Sequence, residues 1–259
     1  RMGHQQAIDH MFFDGLEDAY EGGLMGTYAQ KSADDYSVTR EAMDDFAIGS
    51  LEKALKAIET GAFKDEIAPV TIKSRKGESV VDTDEQPGNA RIDKIRGLKP
   101  AFKKDGTVTA ANSSSISDGG SALVLMRESE AQKRGLTPLA RIAAHSTHAQ
   151  LPAEFTIAPI GAVEKVLKKA GWSKGEVDLY EINEAFAVVT MLAQQELGLD
   201  ADKVNVHGGA CALGHPIGSS GSRILVTLLY ALKQRGLNKG IASLCIGGGE
   251  ATAVAVEML

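Results

Sequence analysis

Hydrophobic positions in the first third of the chain recur with the period of an α-helix. The apolar positions of this face are Phe46, Leu51, Leu55 and Ile58. Thr39 precedes them as a residue type that caps helix N-termini, and Gly61 follows them as a residue type that ends helices. We therefore predict one long helix from about residue 39 to about residue 60.

Residues 67–81 have a different pattern, which predicts a pair of short strands around a turn at 74–77. Residues 82–97 are polar and show no period, so we expect them to be irregular. The first hundred residues thus predict a layer of helix and loop with little hydrophobic core of its own.

Short apolar runs alternate with longer amphipathic runs from residue 121 onward. The predicted strands are residues 121–126, 140–144, 177–182, 204–206, 241–246 and 252–257, and the predicted helices are 159–171, 184–197 and 221–234. Strands that alternate with helices of this length indicate an α/β layered domain. Residues 247–249 are three glycines, a tight link that predicts antiparallel pairing of the last two strands and therefore a mixed sheet.

Charge is distributed unevenly along the chain, which places a boundary near residue 105. About a third of residues 1–105 are charged, against about a sixth of the remaining residues. The formal net charge of −6 argues against a nucleic acid or an anionic membrane as partner, since phosphate binding requires a basic face. No apolar run approaches the roughly 20 residues that cross a bilayer.

The two cysteines, Cys211 and Cys245, are too few for a disulfide-rich secreted scaffold or a four-cysteine zinc site. They suit a reducing compartment, so we expect a cytoplasmic protein. Arg1 is not an initiator methionine, and no basic-then-apolar signal pattern follows it. We expect the chain to be a fragment, a processed product or a trimmed form.

Five glycines stand in the segment 208–221, which carries His215 and leads into an amphipathic helix. This density of glycine indicates a close approach of the backbone to a ligand or to other backbone. Pro216 biases His215 to an extended conformation, which fixes where its ring points. The segment is either a tight connection with a structural histidine or part of a reactive site, and its spacing matches no phosphate-binding glycine motif.

Cys245 and Asn183 stand at the ends of predicted strands. Three glycines follow Cys245, and their N–H groups suit a developing oxyanion, although a cysteine in an apolar strand is usually a small buried hydrophobe. Asn183 would cap the helix that follows it, with Glu184 at the positive end of the helix dipole. Because α/β proteins bind ligands at the carboxyl ends of strands, we expect Asn183, His215 and Cys245 to meet at one rim.

Three motifs resemble those of the thiolases in order and spacing. They are NEAFA at 183–187, GGACALGHPIGSSG at 208–221 and CIGGGEA at 245–251. The resemblance extends over essentially the whole chain, including residues 14–26 and 98–119.

The resemblance implies a layered α/β fold of two similar halves with mixed five-stranded sheets and an inserted loop domain. By this analogy residues 1–107 belong to the loop domain, 108–136 finish the N-terminal half, and 137–259 form a complete C-terminal half. The N-terminal half would then be truncated, with the family's nucleophilic cysteine upstream of Arg1. Since neither cysteine of this chain occupies that motif, we expect the chain alone to be inactive.

The resemblance also implies an acyltransferase that condenses an acyl-CoA with acetyl-CoA or cleaves a 3-ketoacyl-CoA with CoA. His215 would activate the nucleophile, and Cys245 would remove the α-proton of acetyl-CoA or activate the CoA thiol. Asn183, through a bound water, and His215 would stabilise the enolate-like oxygen, and the N–H of Gly247 would serve a second oxyanion hole. A thiol with an ordinary pKa near 8.5 would act as base only if His215, glycine N–H groups or helix dipoles lowered that pKa.

A further set of residues is placed by the resemblance along the pantetheine channel of CoA. These residues are Met25, Phe102, Ala110, Ser114, Ala185 and Phe186. Ordinary packing is the alternative for each of them, and Ser114 is the strongest because its hydroxyl can meet an amide. CoA thioesters would be substrates rather than cofactors. Leu24 stands where many short-chain members have histidine, which leaves the acyl-chain preference open.

Two other functions remain open at this point. A CoA-binding, lipid-binding or assembly module without catalysis would need none of Asn183, His215 and Cys245, so their joint presence disfavours it. A cysteine hydrolase that uses Cys245 and His215 would be favoured by rapid thiol labelling without protection by CoA.

The remaining histidines do not suggest a metal site. His145 and His148 lack a matching carboxylate or cysteine pair, so we expect them at the surface and no metal to be bound. We expect His207 to have a structural role or to support the site from behind. Family analogy alone implies a homodimer or homotetramer.

Overall fold

The structure, a computed structural model, describes residues 2–259, and Arg1 lies outside the described residues. The α-helices are α1 (Met25–Asp35), α2 (Arg40–Thr60), α3 (Glu85–Asn89), α4 (Ile92–Ile95), α5 (Glu128–Lys133), α6 (Ala158–Ala170), α7 (Ala187–Leu197), α8 (Ala210–Leu213) and α9 (Ser220–Arg235). The strands are β1 (Val70–Ser74), β2 (Gly77–Val81), β3 (Ala140–Ala149), β4 (Leu179–Ile182), β5 (Lys239–Ile246) and β6 (Glu250–Met258).

A mixed sheet with the strand order β3-β6-β5-β4 forms the centre of the C-terminal part. β4 pairs with β5 in parallel, with Ile182 opposite Ser243, and the other two pairs are antiparallel. The antiparallel pairing of the last two strands is therefore confirmed. Where a fifth strand was expected, the structure has a single bridge from Val204 to Tyr180, because Asn205 turns into the left-handed region with a φ of 47° and ends the extended backbone.

Helices cover both faces of this sheet. On one face, α6 packs over a core that contains Val163, Tyr180 and Ile241. On the other face, α9 packs over a core that contains Leu228, Leu232 and Ala242. Burial of apolar side chains on both faces stabilises the layered arrangement that the alternation of strands and helices predicted.

The N-terminal helices share their core with the C-terminal part. One cluster joins α1 and α2 to α7, and its members include Ala29, Ala33, Met43, Val188 and Leu192. A second, smaller cluster joins α2 to α8. The helical layer of the first hundred residues is thus held in place by α7 and by α8, which lies within the glycine-rich segment.

Helix α2 has the bounds that its sequence predicts. The Thr39 hydroxyl oxygen accepts a hydrogen bond from the backbone N–H of Ala42 at 3.2 Å, and Gly61 follows the helix with a φ of 73°. Both ends are therefore set by local residue chemistry. The strand pair β1–β2, with its turn at 75–76, is also confirmed.

Two predicted segments differ from the structure. Residues 121–126 form no strand and pair with no strand of the described chain, and Val124 is 87% exposed. Their apolar composition favours a strand, but a strand forms only where a neighbour satisfies its N–H and C=O groups. Residues 82–97, expected to be irregular, contain the short helices α3 and α4. Between residues 2 and 259 no helix has both the length and the apolar composition that a bilayer crossing needs.

Candidate functional site

Strand β4 delivers Asn183 to the edge of the sheet, directly after Ile182. The backbone N–H of Asn183 donates to the carbonyl of Ser243 on β5 at 3.0 Å, which extends the parallel pairing by one residue. Helix α7 begins only at Ala187 and has no side-chain cap, so the capping role expected of Asn183 is wrong. Residues 185–187 pair instead with residues 112–114, and this pairing delays the helix.

His215 lies in the loop between α8 and α9. The sequence suggested a position directly beyond the end of a strand, and that expectation is wrong. Its backbone N–H donates to the carbonyl of Ser115 at 3.1 Å. Gly214 has a φ of 89°, and a side chain there would collide with the hydroxyl of Ser117. Glycine at this position therefore allows a close approach to residues 115–117, which fixes the loop that carries His215.

Asn183 and His215 lie together in one chain of hydrogen bonds. Nδ2 of Asn183 is 3.4 Å from Nε2 of His215. On the other side of the ring, Nδ1 is 2.5 Å from Oγ of Ser220, and that hydroxyl is 3.0 Å from the carbonyl oxygen of Pro216. The structure thus brings the predicted amide and imidazole together and adds a serine to them.

The ring of His215 is neutral at physiological pH. Burial, and secondly the positive charge of Arg223, lower the pKa of His215 to about 4. A neutral imidazole has one N–H and one lone pair, so one nitrogen can accept a proton in catalysis. Oδ1 of Asn183 is buried and has no hydrogen-bond partner within the described chain, so it is available to a bound water or a substrate group.

Glu184 ties the loops of Asn183 and His215 to helix α2. Its buried carboxylate accepts hydrogen bonds from the Ser50 hydroxyl at 2.7 Å, the Asn205 amide at 2.8 Å and the backbone N–H of Cys211 at 3.1 Å. Burial raises the pKa of Glu184, and these donors oppose that rise. Gly209 lies directly against the carboxylate, where any side chain would collide with it.

Cys245 is buried near the end of β5, in an apolar cluster. The members of this cluster are Met25, Tyr28, Phe155, Ala185, Val189 and Cys245. Burial raises the pKa of the Cys245 thiol to about 12, which is opposite to the lowering that the sequence reasoning required of a base. Among the hydrogen bonds of residues 2–259, none links the sulfur to His215, and the base role of Cys245 stays a prediction.

The glycine turn after β5 borders the same cluster. A β-carbon at Gly247 would stand 3.2 Å from the sulfur of Met25. Gly248 and Gly249 have φ values of 97° and 86°, which other residues rarely adopt. The turn therefore depends on glycine, and its first residue, Gly247, lies beside a side chain of the Cys245 cluster.

Five of the six residues predicted along the CoA channel pack in or next to this cluster. The ring of Phe186 meets the ring of Phe102 edge to face, with centroids 6.2 Å apart. The hydroxyl of Ser114 donates to the carbonyl of Ala185 at 2.9 Å, so the group expected to meet a substrate amide is already used within the fold. Ala110 is exposed.

Cys211 and the remaining histidines add no second reactive group. Burial, and secondly the charge of Glu184, raise the pKa of Cys211 well above its usual range. The described residues contain no group of three or more histidine, cysteine or acidic side chains able to hold a metal ion. His145 is exposed, whereas the ring of half-buried His148 packs against Gly161, so the surface position expected of His148 is wrong.

Three acidic side chains lie near Arg223 on helix α9: buried Glu181, half-buried Glu66 and exposed Asp84. Burial raises the pKa of Glu66 to about 7 and that of Glu181 to about 8, and it also raises the pKa of Asp84. The positive charge of Arg223 opposes each of these shifts. Both terminal nitrogens of Arg223 are buried without a hydrogen-bond partner in the described part of the chain, and Arg223 borders an open groove of about 1590 Å³.

Two family models match the chain. "Thiolase, N-terminal domain" matches residues 1–129, and "Thiolase, C-terminal domain" matches residues 136–258. The chain belongs to the thiolase family.

Curated and solved thiolase relatives agree with this assignment. The chain is 50% identical to the acetyl-CoA acetyltransferase of Pseudomonas aeruginosa over 98% of its own length and 65% of the relative's length. It is 51% identical to that of Thiocystis violacea over 100% of its own length and 66% of the relative's. The chain thus spans about two thirds of the length of the curated relatives it matches.

Solved structures show the same fold. The structure matches the Bacillus anthracis acetyl-CoA acetyltransferase with a TM-score of 0.95 at 47% identity, covering 100% of this chain and 66% of that one. It matches the Ascaris suum Acat5 thiolase in complex with coenzyme A with a TM-score of 0.92 at 42% identity, over 100% of this chain and 66% of that one. For the human mitochondrial 3-ketoacyl-CoA thiolase the TM-score is 0.90 at 37% identity, over 100% of this chain and 67% of that one. The thiolase fold expected from the three motifs is confirmed.

Three residues of this site were not predicted from the sequence. Ser220 stands five positions after His215 in the motif at 208–221 and is the first residue of α9. This position in the motif was the signal that could have identified it. Glu184 was noted only for the helix dipole, and its three donors come from distant segments. Arg223 lies on α9 opposite its predicted apolar face, so the hydrophobic pattern gave no signal for it.

Proposed function

We propose that this chain supplies the proton-transfer residues of a thiolase-type acyltransferase. The reaction would be condensation of an acyl-CoA with acetyl-CoA, or the reverse thiolytic cleavage of a 3-ketoacyl-CoA. The contact of Asn183 with the neutral ring of His215 carries the proposal, because it joins an amide and a base in one buried site. CoA thioesters are the substrates, and no cofactor is required.

Each residue has a role in this scheme. His215 takes the proton of the nucleophilic thiol at Nε2 and, once protonated, donates to the substrate oxygen. Cys245 takes a proton from the α-carbon of acetyl-CoA, and the electron pair left behind forms an enolate. A water bound to Asn183 and the protonated ring stabilise the enolate oxygen, and the N–H of Gly247 binds the second carbonyl oxygen.

The high pKa of Cys245 changes how this base is used. A thiolate with a pKa of about 12 is a stronger base than an ordinary one, although less of it is present at neutral pH. Such a base suits the weakly acidic α-carbon of a thioester. The apolar cluster also keeps water from the carbanion that forms.

Neither cysteine of this chain is suited to accept the acyl group as well. Cys211 is half-buried beside the carboxylate of Glu184, which disfavours its thiolate. We therefore expect thiolysis of acetoacetyl-CoA by the 259-residue chain alone to stay at the background rate. Robust turnover in that assay would overturn the assignment of the cysteines.

The proton-transfer step can be tested without the nucleophile. The chain is incubated with acetyl-CoA in D₂O, and deuterium in the methyl group is followed by mass spectrometry. We expect exchange above the buffer rate in the unmodified chain. The exchange should be lost in Cys245→Ala and Asn183→Ala and should be unchanged in the control Ser222→Ala. Binding of acetyl-CoA without exchange would contradict the role of Cys245, and failure to bind either CoA or acetyl-CoA would contradict the whole proposal.

By family analogy, we propose a cytoplasmic homodimer or homotetramer. Light scattering at several protein concentrations measures the mass in solution. A monomer at all concentrations would contradict this part of the proposal.

A further inference from the structure

Ser220 lies between a ring nitrogen of His215 and a backbone carbonyl oxygen. It is the first residue of α9 and is completely buried. Its Oγ lies 2.5 Å from Nδ1 of His215 and 3.0 Å from the carbonyl oxygen of Pro216. A hydroxyl has one proton, so it can donate to only one of these two groups.

The two ends of the hydrogen-bond chain decide its direction. At one end, Nδ2 of Asn183 faces Nε2 of His215, and an amide nitrogen only donates. At the other end, the carbonyl oxygen of Pro216 only accepts. The chain then runs from amide to Nε2, from Nδ1–H to the serine oxygen, and from the serine O–H to the carbonyl.

We propose that Ser220 is a positioning residue that holds neutral His215 in the Nδ1–H tautomer and leaves the lone pair on Nε2. This inference rests on the proposed function only in assigning catalytic use to that lone pair. When Nε2 takes the proton of a thiol, the thiol becomes a thiolate and the ring becomes an imidazolium. Ser220 continues to accept from Nδ1–H, so the charged ring keeps its orientation.

A purely structural role for Ser220 predicts something different. Its O–H bond to the carbonyl four residues earlier would merely support the first turn of α9. Replacing the serine would then change stability but not the position of the ring proton. The tautomer of His215 is therefore the decisive observable.

The experiment is an NMR measurement on the 259-residue chain with ¹⁵N-labelled histidine and without substrate. The sample is kept at about pH 7.5, where the neutral ring of His215 predominates. Two-bond proton–nitrogen correlations distinguish the tautomers, and His215→Asn assigns the signal. We expect Nδ1–H in the unmodified chain, loss of Nδ1–H as the main form in Ser220→Ala, and its recovery in Ser220→Thr. Ser222→Ala removes a hydroxyl from the same helix turn and should leave the His215 signal unchanged.

Two outcomes would overturn the proposal. Nε2–H in the unmodified chain would mean that the direction of the hydrogen-bond chain is reversed. An unchanged Nδ1–H signal in folded Ser220→Ala, with the other histidine signals intact, would mean that another group holds the proton. Should Ser220→Ala fail to fold, the tautomer of His215 in the unmodified chain and in Ser220→Thr still tests the proposal. Because the measurement needs no acetyl-CoA, its failure is separate from failure of the deuterium-exchange test.

Discussion

At His215, two effects act in the same direction on one pKa. Burial disfavours the imidazolium and Arg223 repels it, which together lower the pKa to about 4. Arg223→Gln removes the second effect and leaves the first, so we expect the pKa of His215 to rise by about one unit or less. An NMR titration measures it, with Lys233→Gln on the exposed end of α9 as control. An unchanged or lower pKa in Arg223→Gln would show that this guanidinium does not act on the ring.

At Cys245, burial is the main cause of the raised pKa of the thiol, and a backbone hydrogen bond opposes it. With a pKa of about 12, the thiolate fraction increases about tenfold per pH unit between about pH 7 and 9. We expect alkylation by iodoacetamide to be slow and to accelerate by that factor without levelling off, measured by peptide mass spectrometry. Glutathione in the same mixture is the control, since its rate levels off near its own pKa. A plateau for Cys245 near pH 8 would support the cysteine-hydrolase alternative instead.

Of these two residues, only the surroundings of His215 could be predicted in part from the sequence. The proximity of Asn183 and His215 was expected because ligands bind at the carboxyl ends of strands, although His215 lies in a loop between two helices. The pKa of Cys245 could not be predicted, because the groups that bury it, such as Met25 and Phe155, come from remote segments. Chemical identity is local, whereas the solvation of a group is a property of the tertiary structure.

Among the elements, Glu184 connects the loop after β4 with α2 and with the start of α8. Glu184→Ala leaves a hydroxyl, an amide and a backbone N–H without their acceptor in the interior. We expect the free energy of unfolding to fall by about 2–4 kcal/mol, measured by urea denaturation. Glu164→Ala on the exposed face of α6 is the matched control, with a change of at most about 0.5 kcal/mol. Equal changes in the two variants would mean that these hydrogen bonds add no net stability.

The ends of some helices and strands could be predicted from the local sequence, and others could not. The ends of α2 were predictable because Thr39 and Gly61 act on their own helix. The start of α7 was not, because residues 185–187 pair with residues 112–114, more than seventy positions away. Residues 121–126 have a strand-like composition, but no strand of the described chain pairs with them, and pairing is not encoded in the segment itself.

For the molecule as a whole, buried acids and a buried base make stability depend on pH in opposite ways. In the unfolded chain His215 binds a proton near pH 6.5, whereas in the folded chain it does so only near pH 4. Lowering the pH from 6.5 to 4 therefore favours the unfolded chain. Glu181 behaves in the opposite way. The fold keeps it protonated up to about pH 8, whereas the unfolded chain releases that proton near 4.5.

Glu181 therefore gives the sharpest test of this balance. Between pH 4.5 and about 8 the native chain binds one more proton at Glu181 than the unfolded chain, so this group lowers the free energy of unfolding as pH rises. Glu181→Gln cannot ionise, so we expect it to match the unmodified chain near pH 5 and to exceed its stability near pH 8 by on the order of 2 kcal/mol, measured by urea denaturation at both pH values. The exposed Glu164→Gln should show no such difference. If Glu181→Gln is equally or less stable at pH 8, the charge of Glu181 is already compensated in the fold, and Arg223 and Lys53 are the cations whose charges oppose the rise of its pKa.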